Sequence, residues 1–114
     1  MERATARHQA AERRQEEACR NIALLQREAM LRADEAEAQL ASARQAAVEA
    51  EEALRLLRQR YEAGVADLPD LLGAQAALDR ARSEAVTAES RMLLARGNLR
   101  LQQGIFLKAM LPDG

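Results

Sequence analysis

Aromatic side chains are nearly missing from this sequence. Tyrosine and phenylalanine occur once each and tryptophan not at all, so a core organised around large rings is excluded. There is one cysteine, Cys19, and one histidine, His8. A lone cysteine excludes an internal disulfide. Cys19 has no histidine at helical spacing and His8 lies in a polar segment, so neither nucleophilic catalysis nor a His/Cys metal cluster is expected. The five glycines are scattered and form no phosphate-cradling loop. No run of about 20 apolar residues exists, which excludes a transmembrane helix. The opening Met1-Glu2-Arg3-Ala4-Thr5 lacks the apolar core of a signal peptide, so self-export by that route is not expected. With 17 basic and 18 acidic residues the net charge is −1, and no basic surplus points to nucleic acid. These absences describe a protein that is not an enzyme and has no cofactor.

What is abundant is alanine among alternating charges. Hydrophobic residues make up 48% of the 114 residues, and much of that count is alanine. Alanine is the best helix former, yet it buries little area, so an isolated hairpin built on it gains little hydrophobic free energy. Charged residues are 31% and alternate in sign, as on solvated helix faces.

The long periodic sequence is interrupted at Tyr61-Glu62-Ala63-Gly64-Val65-Ala66-Asp67-Leu68-Pro69-Asp70-Leu71-Leu72, which holds the first glycine and one of the two prolines. Gly64 suits the left-handed position just past a helix end, and Val65 the apolar position that follows it in a Schellman motif. Asp67 is a good N-cap for a second helix. Asp70, three residues on, puts a carboxylate near its positive end. Pro69 falls in the first turn, where its missing N–H costs little. The stretch predicts helix, tight turn, helix.

The flanks carry matched heptad rhythms. Before the turn, Ala33, Ala36, Leu40, Ala43, Ala47, Ala50, Leu54, Leu57 and Tyr61 alternate three and four apart. After it, Leu71, Ala74, Leu78, Ala81, Ala85, Ala88, Met92, Ala95 and Leu99 do the same. Two such seams joined by a short turn pair antiparallel. The expected fold is therefore all-α, a long antiparallel helical hairpin (coiled coil) with a longer first helix and a short irregular C-terminal tail. Its parts are a polar helical arm at 1-26, a first coiled-coil helix at 27-63, the tip at 64-67, a second helix at 68-104 and a tail at 105-114. In the arm, Cys19 and Ile22 continue the seam backward until Gln15 and Glu12 break it. Gly104 is expected to end or weaken the second helix, opposite about Arg27. Ile105, Phe106 and Leu107 then form an apolar run able to dock on neighbouring structure.

A second apolar strip flanks the seam, with Val48, Ala53 and Leu56 on the first helix and Val86, Leu93 and Leu94 on the second. It reads either as ordinary exposed apolar surface or as contact with further helices in a closed ring. The second is favoured, because alanine seams stabilise a lone hairpin poorly.

The run from Ala53 to Gln75 resembles the C-terminal repeat of TolC-like outer membrane efflux proteins, whose pattern there is roughly R-Y-x-x-G-x-x-x-x-x-D-L-L-D-A-Q. Leu99-Arg100-Leu101-Gln102-Gln103-Gly104 is similar to the family's closing L-x-x-x-L-G stretch. The resemblance covers about residues 40 to 105 and is most specific at the turn. It implies a trimeric periplasmic tube continuous with an outer-membrane barrel, self-association, and contact with a periplasmic adaptor protein and an inner-membrane pump. Carried over, Tyr61 would belong to contacts that hold the mouth shut, and Asp70 would point into the pore mouth as part of an acidic ring. Gly64, Val65 and Leu68 would touch the adaptor. Read without the resemblance, Asp70 is a helix-start carboxylate and Tyr61 a seam residue with its hydroxyl in water.

The sequence departs from the pattern at Gly73, where the family often has a second acid or amide, and at Pro69. Barrel strands and a first repeat are not in evidence, so the resemblance implies a partial efflux protein, without channel activity alone. Two other readings stand beside it. The ending Ala109-Met110-Leu111-Pro112-Asp113-Gly114 is similar to the A-P-x-D-G exit of adaptor (membrane-fusion) hairpins, although the tip lacks their Arg, Leu and Ser spacing. A soluble coiled-coil scaffold would instead form a dimer or a four-helix bundle.

Overall fold

The structure, a computed structural model, describes residues 2–111. It consists of two helices, α1 (Glu2–Glu62) and α2 (Leu68–Met110), joined by residues 63–67. No strand occurs among the described residues. This is the all-α, two-helix class expected, with the longer helix first. None of the 61 residues of α1 is a glycine or proline, so nothing in its interior interrupts the hydrogen-bond ladder. Exposed pairs one turn apart run along it. Arg20 and Glu16 approach to 3.6 Å, Gln45 donates to Glu49 at 3.4 Å, and Arg55 donates through Nε to Glu52 at 3.0 Å. Each adds a few tenths of a kcal/mol at most.

The contacts divide the chain into two compact units, and Asp34–Leu94 is one of them. Its buried residues are Ala36, Leu40 and Leu54 from α1 and Leu78, Ala88 and Met92 from α2. Ala43, Ala47, Ala50, Leu57, Leu71, Ala74, Ala81 and Ala85 are half-buried. All of these lie on the two heptad rhythms. Leu54 and Leu78, only 4% and 2% exposed, lie beside the same groove. Burying a leucine stabilises by about 1.5–3 kcal/mol, so these few large side chains dominate a seam otherwise made of alanine. Beside the seam the Arg44 guanidinium approaches Glu89 across the helices at 4.0 Å. Both are exposed, so the pair marks the register and adds little stability.

The other unit brings the stretch up to Ala33 together with the stretch from Ala95 onward. Ala29 and Ala33 are buried, and Ile22, Ala23, Gln26, Ala95, Asn98, Leu99, Gln102 and Phe106 are half-buried. Here the structure corrects the sequence reading. Gly104 neither ends the helix nor opens an irregular tail, because α2 runs through it to Met110. A glycine inside a helix costs about 1 kcal/mol. That cost is offset by what the last turns reach: Phe106, Ala109 and Met110 meet Cys19 and Ile22 around one apolar crevice. Pairing therefore passes the expected limit at Arg27 and extends back to Cys19, which is a free, half-buried thiol. Of the apolar run near the end, Phe106 docks within the chain, whereas Ile105 and Leu107 are exposed. Residues 2–18 continue α1 as a helix with every side chain exposed. In this arm His8 Nε2 lies 3.0 Å from Glu12. Pro112, Asp113 and Gly114, on which the adaptor-like ending depends, lie outside the described residues.

Candidate functional site

The turn between α1 and α2 is closed by backbone geometry. Gly64 has φ +77°, the only positive φ among the described residues. With the chain turned left-handed there, the Val65 N–H donates to the Arg60 carbonyl at 2.8 Å. The Gly64 N–H donates to that of Tyr61 at 3.0 Å. These are the paired 6→1 and 5→2 bonds of a Schellman cap, which satisfy carbonyls that the helix end would otherwise orphan. Nothing lies within 4 Å of where a Gly64 Cβ would stand. Glycine is therefore required for its backbone freedom and not for space.

On the far side Asp67 directly precedes α2, and its carbonyl accepts from the Leu71 N–H at 3.3 Å. It occupies the N-cap position. Pro69 is the second helical residue, where no intrahelical partner for its nitrogen is required. Asp70 completes the first turn as its acidic residue and is exposed. Its charge stands where the helix dipole is positive.

One detail differs from the motif expected. Val65 does not fold its side chain back onto α1. It is 77% exposed, and the neighbouring Ala66 is half-buried. The turn consequently presents Val65 with Tyr61, Leu68 and Leu72 as exposed apolar side chains, at 77%, 41%, 49% and 59%. Tyr61, Gly64, Val65, Leu68 and Asp70 thus belong to one short, backbone-capped segment. Leu72 was not singled out from the sequence. Its b-type position in the heptad, outside the seam and next to Leu71, was the available signal.

The rest of the surface of this unit is weakly functional in chemical terms. Arg55, Arg58 and Arg82 gather with Glu51 beside the Leu54–Leu78 layer. Arg55 is already engaged by Glu52. Its hydrogen bond, and secondarily its charge, hold the Glu52 carboxyl below the ordinary carboxylate range, and Glu52 in turn raises Arg55. Among the described residues no cluster of His, Cys, Asp or Glu is arranged to hold a metal ion. No described helix is long and apolar enough to cross a membrane. The second apolar strip, from Val48 and Leu56 to Val86, Leu93 and Leu94, is exposed throughout.

No curated protein and no solved structure matches the chain significantly. A family model, outer membrane efflux protein, matches residues 1–104. The match takes in the polar arm and the first turns of α1, which the resemblance at the turn left out. It also places the chain with a non-enzymatic group of channel proteins. A helical pair closed at Gly64, with its motif Arg60-Tyr61 through Gln75 on the capped turn and a match over almost its whole length, leads to one assignment: the chain belongs to the outer membrane efflux protein family.

Proposed function

We propose that this chain forms a helical hairpin of the periplasmic tunnel of a tripartite export system, with residues 61–72 at the end that meets the periplasmic adaptor. The observation that carries the reading is the capped turn itself. It holds Val65 and Leu68 out in solvent while the end of α1 behind them is closed by the two cap hydrogen bonds from Gly64 and Val65. Rigid presentation of a few apolar groups is what a docking surface needs, because little ordering entropy is then lost on contact. Two helices alone enclose no lumen. Conduction therefore requires company, and the exposed strip along Val86, Leu93 and Leu94 is the surface on which neighbouring helices of a trimeric tube would pack. In such a tube Asp70, repeated by symmetry, makes an acidic ring that favours cations. Tyr61, on the same turn, belongs to the contacts that keep the mouth closed. The inner-membrane pump is reached through the adaptor, and the site of action is the periplasm and outer membrane.

The test is site-directed thiol cross-linking in the native assembly, in a Cys19→Ser background. Val65→Cys and Leu68→Cys should cross-link to the adaptor, whereas Gln45→Cys, far along α1 from the turn, should not. Equal labelling at all three positions, or none at 65 and 68, would refute the docking assignment. Asp70→Asn should lower cation preference in conductance measurements without lowering adaptor cross-linking, and an unchanged preference would remove Asp70 from the mouth.

A further inference from the structure

We draw no further inference here: the strongest candidate, the exposed stripe on the side of α2 away from the seam formed by Leu72, Val86, Leu93 and Leu94 with the small residues Ala76, Ser83 and Ser90, carries nothing, because nothing in the structure shows what covers it and packing by a neighbouring hairpin restates what membership of the efflux family already implies.

Discussion

Replacing Gly64 by alanine should destabilise the protein although the substitution adds only a methyl group in open space. Beyond Gly64 and its two chain neighbours no atom lies within 4 Å of the added Cβ, so no steric clash with the rest of the protein contributes. The whole effect comes from φ +77°, a left-handed conformation that costs an L-residue about 1–2 kcal/mol. Alanine also restricts the unfolded chain, which returns about 0.4–1 kcal/mol. The net loss is therefore about 1 kcal/mol. Gly73 provides the internal control. It lies inside α2, also with nothing within 4 Å of its Cβ, but in helical geometry. There alanine should stabilise by about 0.5–1 kcal/mol. The two variants make the same chemical change and should move stability in opposite directions, with a separation of about 1.5–2 kcal/mol. Urea unfolding followed by circular dichroism at 222 nm, at one fixed protein concentration, measures both. A fixed concentration matters because association would shift the midpoint. Gly64→Asn should lie between Gly64→Ala and the parent, since asparagine tolerates the left-handed region better. If Gly64→Ala unfolds at or above the parent midpoint, the left-handed cap is not what closes the turn.

Other perturbations separate the seam from its surroundings. Leu54→Ala should cost about 2–3 kcal/mol by leaving a gap against Leu78, whereas Leu56→Ala, at a position 45% exposed, should cost under about 0.5 kcal/mol in the same denaturation assay. Arg44→Ala and Glu89→Ala should each change stability by less than about 0.5 kcal/mol, with a coupling energy near zero in the double-mutant cycle, because their 4.0 Å contact is exposed. Arg55→Ala should remove the depression of the Glu52 carboxyl. A depressed carboxylate contributes stability above its unfolded pKa and loses it as pH falls through the folded value. The small deficit of the variant should therefore be present at neutral pH and vanish on acidification through that range. The purified chain should associate at micromolar concentration in sedimentation, and a cooperatively melting monomer would count against the strip being an interface.

The seam was legible because its signal is periodic and its chemistry local. From Ala36 to Leu57, and again from Leu71 to Leu99, every residue placed on the rhythm is buried or half-buried. The turn was legible for a similar reason: Gly64, Asp67 and Pro69 each suit only a few backbone positions, and those positions coincide. What escaped was non-local. Gly104 reads as a stop when only its own propensity is weighed. The contacts that keep the helix going there come from Cys19 and Ile22, more than eighty positions away in sequence. The side-chain direction of Val65 escaped as well. The two backbone bonds of the cap fix the path of the chain but leave the side chain free to turn outward.

The distribution of side-chain size carries the argument for company. Within Asp34–Leu94 the buried large groups are Leu40, Leu54, Leu78 and Met92, while Val48, Leu56, Leu72, Val86, Leu93 and Leu94 stand in solvent. In a self-sufficient bundle the bulk would be reversed, with leucine inside and alanine outside, because burial stabilises in proportion to apolar area. Here alanine takes most of the inner positions, which lets the helices approach closely, and several larger groups are left facing outward. Such an arrangement would gain further hydrophobic free energy if another helix covered the outer groups. The asymmetry between the helices points the same way. The back of α1 carries Val48 and Leu56 among Glu35, Gln45, Glu49 and Glu52, whereas the back of α2 carries Leu72, Val86, Leu93 and Leu94 among mostly small residues, with Asp79 and Arg80 between them. In the proposed tube, the larger share of the contact with a neighbour would therefore fall on α2. Charge introduced at Val86 or Leu93 should weaken association while leaving the Leu54–Leu78 layer and the Gly64 cap intact.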